Sequence, residues 1–231
     1  MLSTAPAAPL RVLGLTGGVG AGKSTIARWL AEELPGTVLD ADAMVASLFE
    51  KKAVLARLSE LFGAEILEES GHLNRKALGQ RVFQKPEARR ELEELLHPLV
   101  RLELAEQLQK LAFDRPDSWV ILDIPLLREG GLDSLCQVVI HVVTSKEERS
   151  ARAMRRHGWD LATWEAREAA QMPEQEKSAR ADYLISNGAE HALGNERALP
   201  SALAEALEAL RPQDLGPQLA ALRAEAQAPD A

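Results

Sequence analysis

Short apolar runs alternate along this chain with longer segments in which apolar residues recur every three or four positions. Strands that are apolar on both faces and separated by helices are typical of a parallel sheet covered on both sides. The pattern therefore predicts an α/β fold of the doubly wound type, which binds ligands at the carboxyl ends of its strands. The five predicted strands are Arg11–Thr16, Thr37–Leu39, Trp119–Ile124, Val138–Val143 and Tyr183–Ile185.

Between the second and third predicted strands lies an unusually long helical block, about residues 44–111, with its strongest periodicity in Glu87–Leu111. It is too long for a simple crossover, so we expect a helical lobe that binds a second substrate. The predicted domain spans residues 11–211, after a short flexible tail of residues 1–10. Residues 212–231 are rich in Ala, Pro, Gln and Asp, which predicts a frayed helix or a disordered tail.

The composition and net charge of the chain argue against several classes of protein. The 231 residues carry a formal net charge of −8, which argues against a nucleic-acid-binding protein. No apolar run approaches the ~20 residues of a membrane span. The single cysteine, Cys136, excludes an internal disulfide, and its apolar neighbours predict a small buried side chain. We expect a cytoplasmic enzyme that is a monomer or a weak homo-oligomer.

The eight residues after the first strand match G-x-x-x-x-G-K-[ST], the loop that wraps nucleotide phosphates. Glycines let the backbone turn tightly and aim successive N–H groups at one anion, and the following helix directs its positive end at the same anion. Lys23 is expected to contact the β- and γ-phosphates of ATP, and the Ser24 hydroxyl to hold Mg²⁺. The predicted phosphate-binding residues are Gly17, Gly18, Gly20, Ala21, Gly22, Lys23, Ser24 and Thr25.

Carboxylates follow two of the predicted strands. In Asp40-Ala41-Asp42, residues i and i+2 of an extended segment point the same way, so either carboxylate could serve as a kinase's base while the other caps a helix near Ala43. Val120–Asp123 resembles a Walker B strand, whose carboxylate reaches Mg²⁺. The less favoured alternative is that Asp123 is an acidic strand end without a ligand.

Three arginines, Arg149, Arg152 and Arg156, share one face of the predicted helix Lys146–Arg156. Such a cluster is often a solvated surface. After the fourth strand of a phosphate-loop protein, however, it favours a lid over the transferred phosphoryl group, at about residues 146–172 with a second helix over Leu161–Gln171.

Several further segments occur in a fixed order with these motifs, and together they resemble the dephospho-coenzyme A kinases. The similarity runs from Val12 to Gly188. Its segments are the phosphate loop from Leu15 to Thr25, Asp40-Ala41-Asp42, Phe62-Gly63, Leu96-His97-Pro98-Leu99, Asp123-Ile124-Pro125-Leu126-Leu127, Ala169-Ala170-Gln171, Glu176-Lys177, Ala181-Asp182 and Asn187-Gly188.

The resemblance implies phosphorylation of the ribose 3′-hydroxyl of dephospho-coenzyme A by ATP and Mg²⁺. It implies that Asp42 is the catalytic base and that Lys23 and Arg152 stabilise the transferred phosphoryl group. It also implies the remaining site residues: Arg156 as a helper at the phosphates, Asn187 and Gly188 near the adenine, and His97, Pro98, Leu126 and Leu127 around the acceptor.

Three alternatives stay open at this point. A nucleoside or nucleotide kinase shares the phosphate loop, and a nucleotide-sensing module could bind ATP without transferring phosphate. A nucleic-acid-stimulated ATPase is disfavoured by the acidic composition. His97-Pro98, taken alone, is more typical of a kink in a helix than of a catalytic group.

Overall fold

The computed structural model of the chain describes residues 9–188 and 199–227. All five predicted strands form, and they pair in parallel in the order β2-β3-β1-β4-β5. The order brings the carboxyl ends of β1, β3 and β4 to one edge of the sheet, where a doubly wound fold binds its ligand. The strands are β1 (Arg11–Thr16), β2 (Thr37–Asp40), β3 (Trp119–Asp123), β4 (Val138–Val143) and β5 (Tyr183–Ser186).

Helices connect the strands in the way that the periodicity predicts. Four of the described helices lie in the long insertion between β2 and β3, two follow β5, and the others connect the remaining strands. Their bounds are α1 (Lys23–Glu33), α2 (Ala41–Leu48), α3 (Lys52–Phe62), α4 (Arg75–Gln84), α5 (Pro86–Asp114), α6 (Lys146–His157), α7 (Leu161–Ala169), α8 (Glu174–Ala179), α9 (Ser201–Ala209) and α10 (Gly216–Gln227).

The chain divides into two compact units. The first comprises Met1–Asp40 and Leu111–Gly216 and contains the sheet. Its core is made by the buried faces of β1, β3 and β4 together with α1 and α9, where Leu13, Ile121 and Ile140 are completely buried. Burial of these strands on both faces is the reason that they appear in the sequence as unbroken apolar runs.

The second unit comprises Ala41–Lys110 and Pro217–Ala231. It has its own apolar core, in which side chains from α3, α4 and the start of α5 pack together. An insertion with a separate core matches the predicted helical lobe in its extent, while its role in substrate binding stays a prediction. The buried residues of this core are Val54, Leu58, Phe62, Ile66, Leu78 and Ala88.

The structure corrects two expectations about the ends of the domain. Residues 216–227 form the regular helix α10, and its Leu219 and Leu222 side chains are buried, whereas the composition suggested a frayed or disordered tail. At the other end, Leu10 is completely buried and its main chain pairs with Gln213, so it is not part of a flexible tail. Residues 1–8 lie outside the described part of the chain.

One motif lies in a helix rather than on the extended segment that the sequence suggested. β2 ends at Asp40 and α2 begins at Ala41, so Asp42 is a helical residue and the argument from an extended segment was wrong. His97 and Pro98 lie inside the 29-residue helix α5, within the helical segment that the periodicity predicted. Among the described residues, no helix has the length and apolar character needed to cross a membrane.

Candidate active site

The phosphate loop connects β1 to α1 in the first unit. Thr16 ends the strand and Lys23 begins the helix, which is the strand–loop–helix order that the motif requires. Gly22 stands just before the helix with a φ of 84°, and a Cβ on it would lie 2.2 Å from Asn187 Nδ2. Glycine is therefore needed there both for its backbone conformation and for space.

The Lys23 side chain folds back over the loop. Its Nζ donates to the carbonyl oxygens of Gly17 and Gly18, at 2.8 and 3.2 Å. Burial lowers the pKa of the Lys23 ammonium below its ordinary value, and the nearby Asp123 carboxylate opposes that effect. The ammonium is thus held at the centre of the loop with few water molecules around it, where its charge acts strongly on an anion.

Asp123 ends β3, directly opposite Leu15 of β1 in the sheet, and its side chain is buried. Ser24 lies in the first turn of α1. No group of three or more His, Cys, Asp or Glu side chains within residues 9–188 and 199–227 could hold a metal by itself. A hydroxyl and one carboxylate nevertheless fit Mg²⁺, because that ion takes one or two protein oxygens and fills its shell with phosphates and water.

Arg152 and Asn187 are brought to the helical end of the loop. The Arg152 guanidinium donates to the carbonyl oxygen of Asn187 at 2.8 Å, and the Asn187 amide donates to the carbonyl oxygen of Ala21, also at 2.8 Å. The neighbouring Gly188 is buried, whereas Arg156 is exposed at the last turn of α6. Two of the predicted residues, Arg152 and Asn187, are therefore joined to each other and to the phosphate loop.

The three arginines of the predicted cluster differ in their burial and in their contacts. Arg149 is buried and forms an ion pair with Glu168 of α7, and its guanidinium lies 5.5 Å from the Trp164 ring centroid. Only Arg152 of the three thus combines partial exposure with a contact near the loop. Periodicity placed Arg149 correctly on α6 but gave no indication of its acidic partner 19 residues away.

Charged residues that sequence reasoning did not assign lie beside the loop. His141 Nε2 of β4 lies 2.9 Å from Glu174 Oε1, and Glu174 Oε2 is 2.8 Å from the position that a Cβ on Gly18 would take. Lys177 is almost completely buried and donates to Gln171 Oε1 at 2.7 Å. Gln171 and Lys177 lie in two of the sequence segments that resemble the kinase family. That resemblance is the one feature of the sequence that could have identified them.

Burial raises the pKa of the Glu174 carboxyl, but the contact with His141 and the charges of Arg149 and Lys177 lower it more, so its pKa lies below the ordinary value. Glu174 is thus a carboxylate at neutral pH. It contributes negative charge to a loop that binds an anion, and the surrounding cations compensate for it.

The predicted acceptor residues divide between the two units. Leu126 and Leu127 follow β3 in the first unit, but Leu127 is buried and lies 2.5 Å from the position of a Cβ on Gly14, so it packs against β1. Asp42 and His97 belong to the second unit, where both are exposed, and Pro98 is half-buried. The packing of Leu127 favours a structural role over the predicted contact with substrate.

Cys136 is half-buried, and its thiol is packed against β1, 2.6 Å from the position of a Cβ on Gly14. Burial raises the pKa of the Cys136 thiol well above its usual range. The group is therefore an unreactive thiol at neutral pH, which fits the prediction of a packed, apolar role.

Comparison with known proteins gives a consistent result. A family model for dephospho-CoA kinase matches residues 11–192. Proteins named dephospho-CoA kinase from Anaeromyxobacter dehalogenans and Deinococcus radiodurans are 45% and 42% identical to the chain, covering 81% and 80% of it and 89% and 88% of their own lengths. The similarity therefore includes the sheet, the phosphate loop and most of the insertion.

Solved structures agree with this. A Thermus thermophilus protein aligns with a TM-score of 0.67 at 39% identity, covering 85% of this chain and 98% of its own. A structure of dephospho-CoA kinase from Campylobacter jejuni aligns with a TM-score of 0.57 at 31% identity, covering 79% and 90% of the two chains. Each alignment spans more than three quarters of the chain.

Proposed function

The chain belongs to the dephospho-CoA kinase family, and from that membership we propose that it transfers the γ-phosphoryl group of ATP to the ribose 3′-hydroxyl of dephospho-coenzyme A. The products are coenzyme A and ADP. The observation that carries the proposal is the phosphate loop between β1 and α1, with the ammonium of the half-buried Lys23 bonded to its main chain. Such a loop is built to hold a nucleoside triphosphate.

Lys23 and Arg152 supply positive charge to the phosphates. Negative charge spreads over the equatorial oxygens of the γ-phosphoryl group in the transition state, so a fixed cation there stabilises it more than it stabilises bound ATP. The hydrogen bond from Arg152 to Asn187 connects this cation to the Asn187–Gly188 segment, which we propose to lie near the adenine.

Ser24 and Asp123 are the residues that would hold Mg²⁺, one with its hydroxyl and the other with its carboxylate. When bound, the ion neutralises charge on the β- and γ-phosphate oxygens. The remaining coordination positions suit phosphate and water, as the small donor set of the protein requires. The loop glycines Gly17, Gly18, Gly20 and Gly22 supply backbone N–H groups for the same phosphates.

Asp42 is proposed as the base that accepts the proton of the 3′-hydroxyl. As the oxygen forms its bond to the γ-phosphorus, the bond from that phosphorus to the bridging oxygen breaks, and ADP leaves with that electron pair. Asp42 is exposed in the first turn of α2, directly after β2, which supports access of this side chain to a substrate. His97, Pro98 and Leu126 are proposed to contact the acceptor.

The direct test is incubation of the protein with ATP, Mg²⁺ and dephospho-coenzyme A, with mass analysis of the product. One added phosphoryl group per acceptor, with stoichiometric ADP, is expected. Transfer to nucleosides or nucleoside monophosphates instead would indicate the related kinase class. ATP binding without acceptor-dependent ADP release would indicate a nucleotide-sensing module.

The role of Asp42 is tested by Asp42→Asn, which preserves shape but cannot accept a proton. We expect kcat to fall ~10²- to 10⁴-fold with little change in KM for ATP, because a base acts in the transition state. Glu50→Gln, another exposed carboxylate of the second unit, serves as the matched control. Steady-state kinetics with wild-type turnover in Asp42→Asn would remove this residue from the mechanism.

A further inference from the structure

Both main-chain groups of Val19, at the tip of the phosphate loop, are bound by side chains of α7. The Val19 N–H donates to Glu168 Oε2 at 2.9 Å. The Trp164 indole N–H donates to the Val19 carbonyl oxygen at 3.1 Å. Glu168 and Trp164 are one turn apart on α7, so side chains on one face of this helix bind both main-chain groups of the same loop residue.

Arg149 of α6 binds Glu168 and also lies against the glycines on either side of Val19. Its guanidinium forms an ion pair with the other oxygen of Glu168. A Cβ on Gly18 would lie 2.0 Å from Arg149 Nη1, and a Cβ on Gly20 would lie 2.2 Å from the Arg149 carbonyl oxygen. The loop therefore passes against Arg149 at two points, and at Gly20, where φ is 89° and the neighbouring atoms are backbone, only glycine fits.

These contacts are largely buried. Trp164 is completely buried, Arg149 is 4% exposed and the Glu168 side chain is 22% exposed. A buried ion pair adds little net stability, but its loss leaves an uncompensated charge, so it strongly favours one arrangement of the groups around it. Rigid contacts of this kind hold the groups of a binding site in the geometry that binding requires.

We propose that Trp164 and Glu168 are positioning residues for ATP: they fix the tip of the phosphate loop and thereby aim its later N–H groups at the phosphates. The Val19 N–H itself is committed to a carboxylate rather than to a phosphate. α7 thus contributes to nucleotide affinity without touching the nucleotide. The inference takes ATP from the proposed function, but the contacts with Val19 do not depend on the acceptor.

The first test is hydrogen exchange of the Val19 amide in the protein without nucleotide. In the wild type we expect protection from exchange, because the N–H is bonded to Glu168. Glu168→Ala should remove that protection, whereas Glu168→Gln, which retains an acceptor oxygen, should preserve part of it. Glu165→Gln changes an exposed carboxylate of the same helix and should leave Val19 unchanged. Equal exchange in Glu168→Ala and the wild type would overturn the proposal.

The second test separates positioning from stability. We expect Glu168→Ala to raise KM for ATP and the Kd for ADP ~10- to 100-fold, and Trp164→Phe ~3- to 10-fold, in line with the loss of a charged and a neutral hydrogen bond. KM for dephospho-coenzyme A should stay within about twofold of the wild-type value. A variant that was merely less stable would lose active protein with both KM values unchanged, and that result would also overturn the proposal.

Trp164→Phe keeps the buried ring and Glu168→Gln keeps the shape of the side chain, so the tests do not depend on the folding of Glu168→Ala. Failure of the proposed function would appear in the wild type, as no transfer to dephospho-coenzyme A. Failure of this inference would appear only in the variants, as unchanged Val19 exchange and unchanged ADP binding.

Discussion

One ammonium group dominates the electrostatics of the phosphate loop. Lys23 Nζ is bonded to two loop carbonyl oxygens, and burial lowers the pKa of this group. A charged group that is partly stripped of water costs free energy in the folded protein. The same desolvation strengthens its attraction for a phosphate, so the residue serves binding rather than stability.

Lys23→Ala is accordingly expected to lower kcat by ~10²-fold or more, because a cation that stabilises the transition state is lost. The free energy of unfolding should fall by no more than about 1 kcal/mol, since the lost hydrogen bonds are offset by the removal of a buried charge. Steady-state kinetics and urea unfolding measure the two effects. Lys52→Ala, at the exposed start of α3, is the control; a large loss of stability in Lys23→Ala would contradict this account.

Glu174 gives the stability a specific pH dependence. Its pKa is lowered from the ordinary value of 4.5, so the unfolded chain binds a proton at this site more readily than the folded protein does. The resulting stabilisation is complete above the unfolded pKa and is lost as the pH falls through the folded pKa. Sequence alone could not predict this, because the partner His141 is 33 residues distant and lies in another element.

Urea unfolding of the wild type and Glu174→Gln should therefore show a difference in the free energy of unfolding at pH 7 that shrinks as the pH falls below about 4.5. Glu176→Gln, on the exposed side of the same short helix, should differ from the wild type by a small amount. A difference that stays constant from pH 7 to pH 3 would contradict the assigned pKa direction.

At the scale of elements, the hydrophobic pattern was sufficient for the strands and for the starts of α6 and α7, but not for the start of α2. All five predicted strands are confirmed, with ends that differ by at most one residue, as at Asp40 and Asp123. Buried parallel strands have a strong apolar signature, whereas a helix start is set by local backbone geometry. That is why Asp42 was placed on an extended segment although it lies in α2.

α5 contains the proline that the sequence singled out. His97-Pro98 predicted a structural kink within a helical segment, and the helix runs from Pro86 to Asp114 with the proline inside it. Proline removes one intrahelical hydrogen bond, and the buried Leu96 shows that the apolar face of the helix is packed beside it. Burial of that face stabilises the helix on both sides of the proline.

Pro98→Ala should therefore stabilise the second unit, by about 1 kcal/mol or more, because the missing N–H is restored and the ring no longer crowds the preceding turn. Thermal unfolding measures this. If Pro98 also shapes the acceptor site, KM for dephospho-coenzyme A should rise while KM for ATP stays constant. A lower melting temperature would show that the ring itself packs in the folded protein.

At the scale of the whole molecule, the sequence predicted the sheet and the helical insertion but not the division of the chain. The second unit takes its final helix, α10, from the far end of the sequence. Arg101 forms an ion pair with Glu225, and Gln109 accepts a hydrogen bond from Arg223, so α5 and α10 are joined by polar contacts. An Ala-rich composition gives no indication of such partners.

Leu222→Ala should lower the free energy of unfolding by ~2–5 kcal/mol, because a buried leucine is replaced by a cavity. Calorimetry or urea unfolding detects the change. Ala224→Ser, at an exposed position of the same helix, should leave stability nearly unchanged. If the leucine substitution were also neutral, α10 would contribute nothing to the second unit.

The interrupted path of the chain has a consequence for its biosynthesis. Residues 41–110 leave the ribosome after β1 and β2 but before β3, β4 and β5. The buried core residues of the second unit, from Val54 to Ala88, are therefore all available before β3, the strand that lies between β2 and β1 in the sheet. Nascent chains fold from the amino terminus as segments emerge. We therefore expect the helical insertion to fold first. β2 is joined to β1 only after β3 has been synthesised, because β3 pairs with both of them.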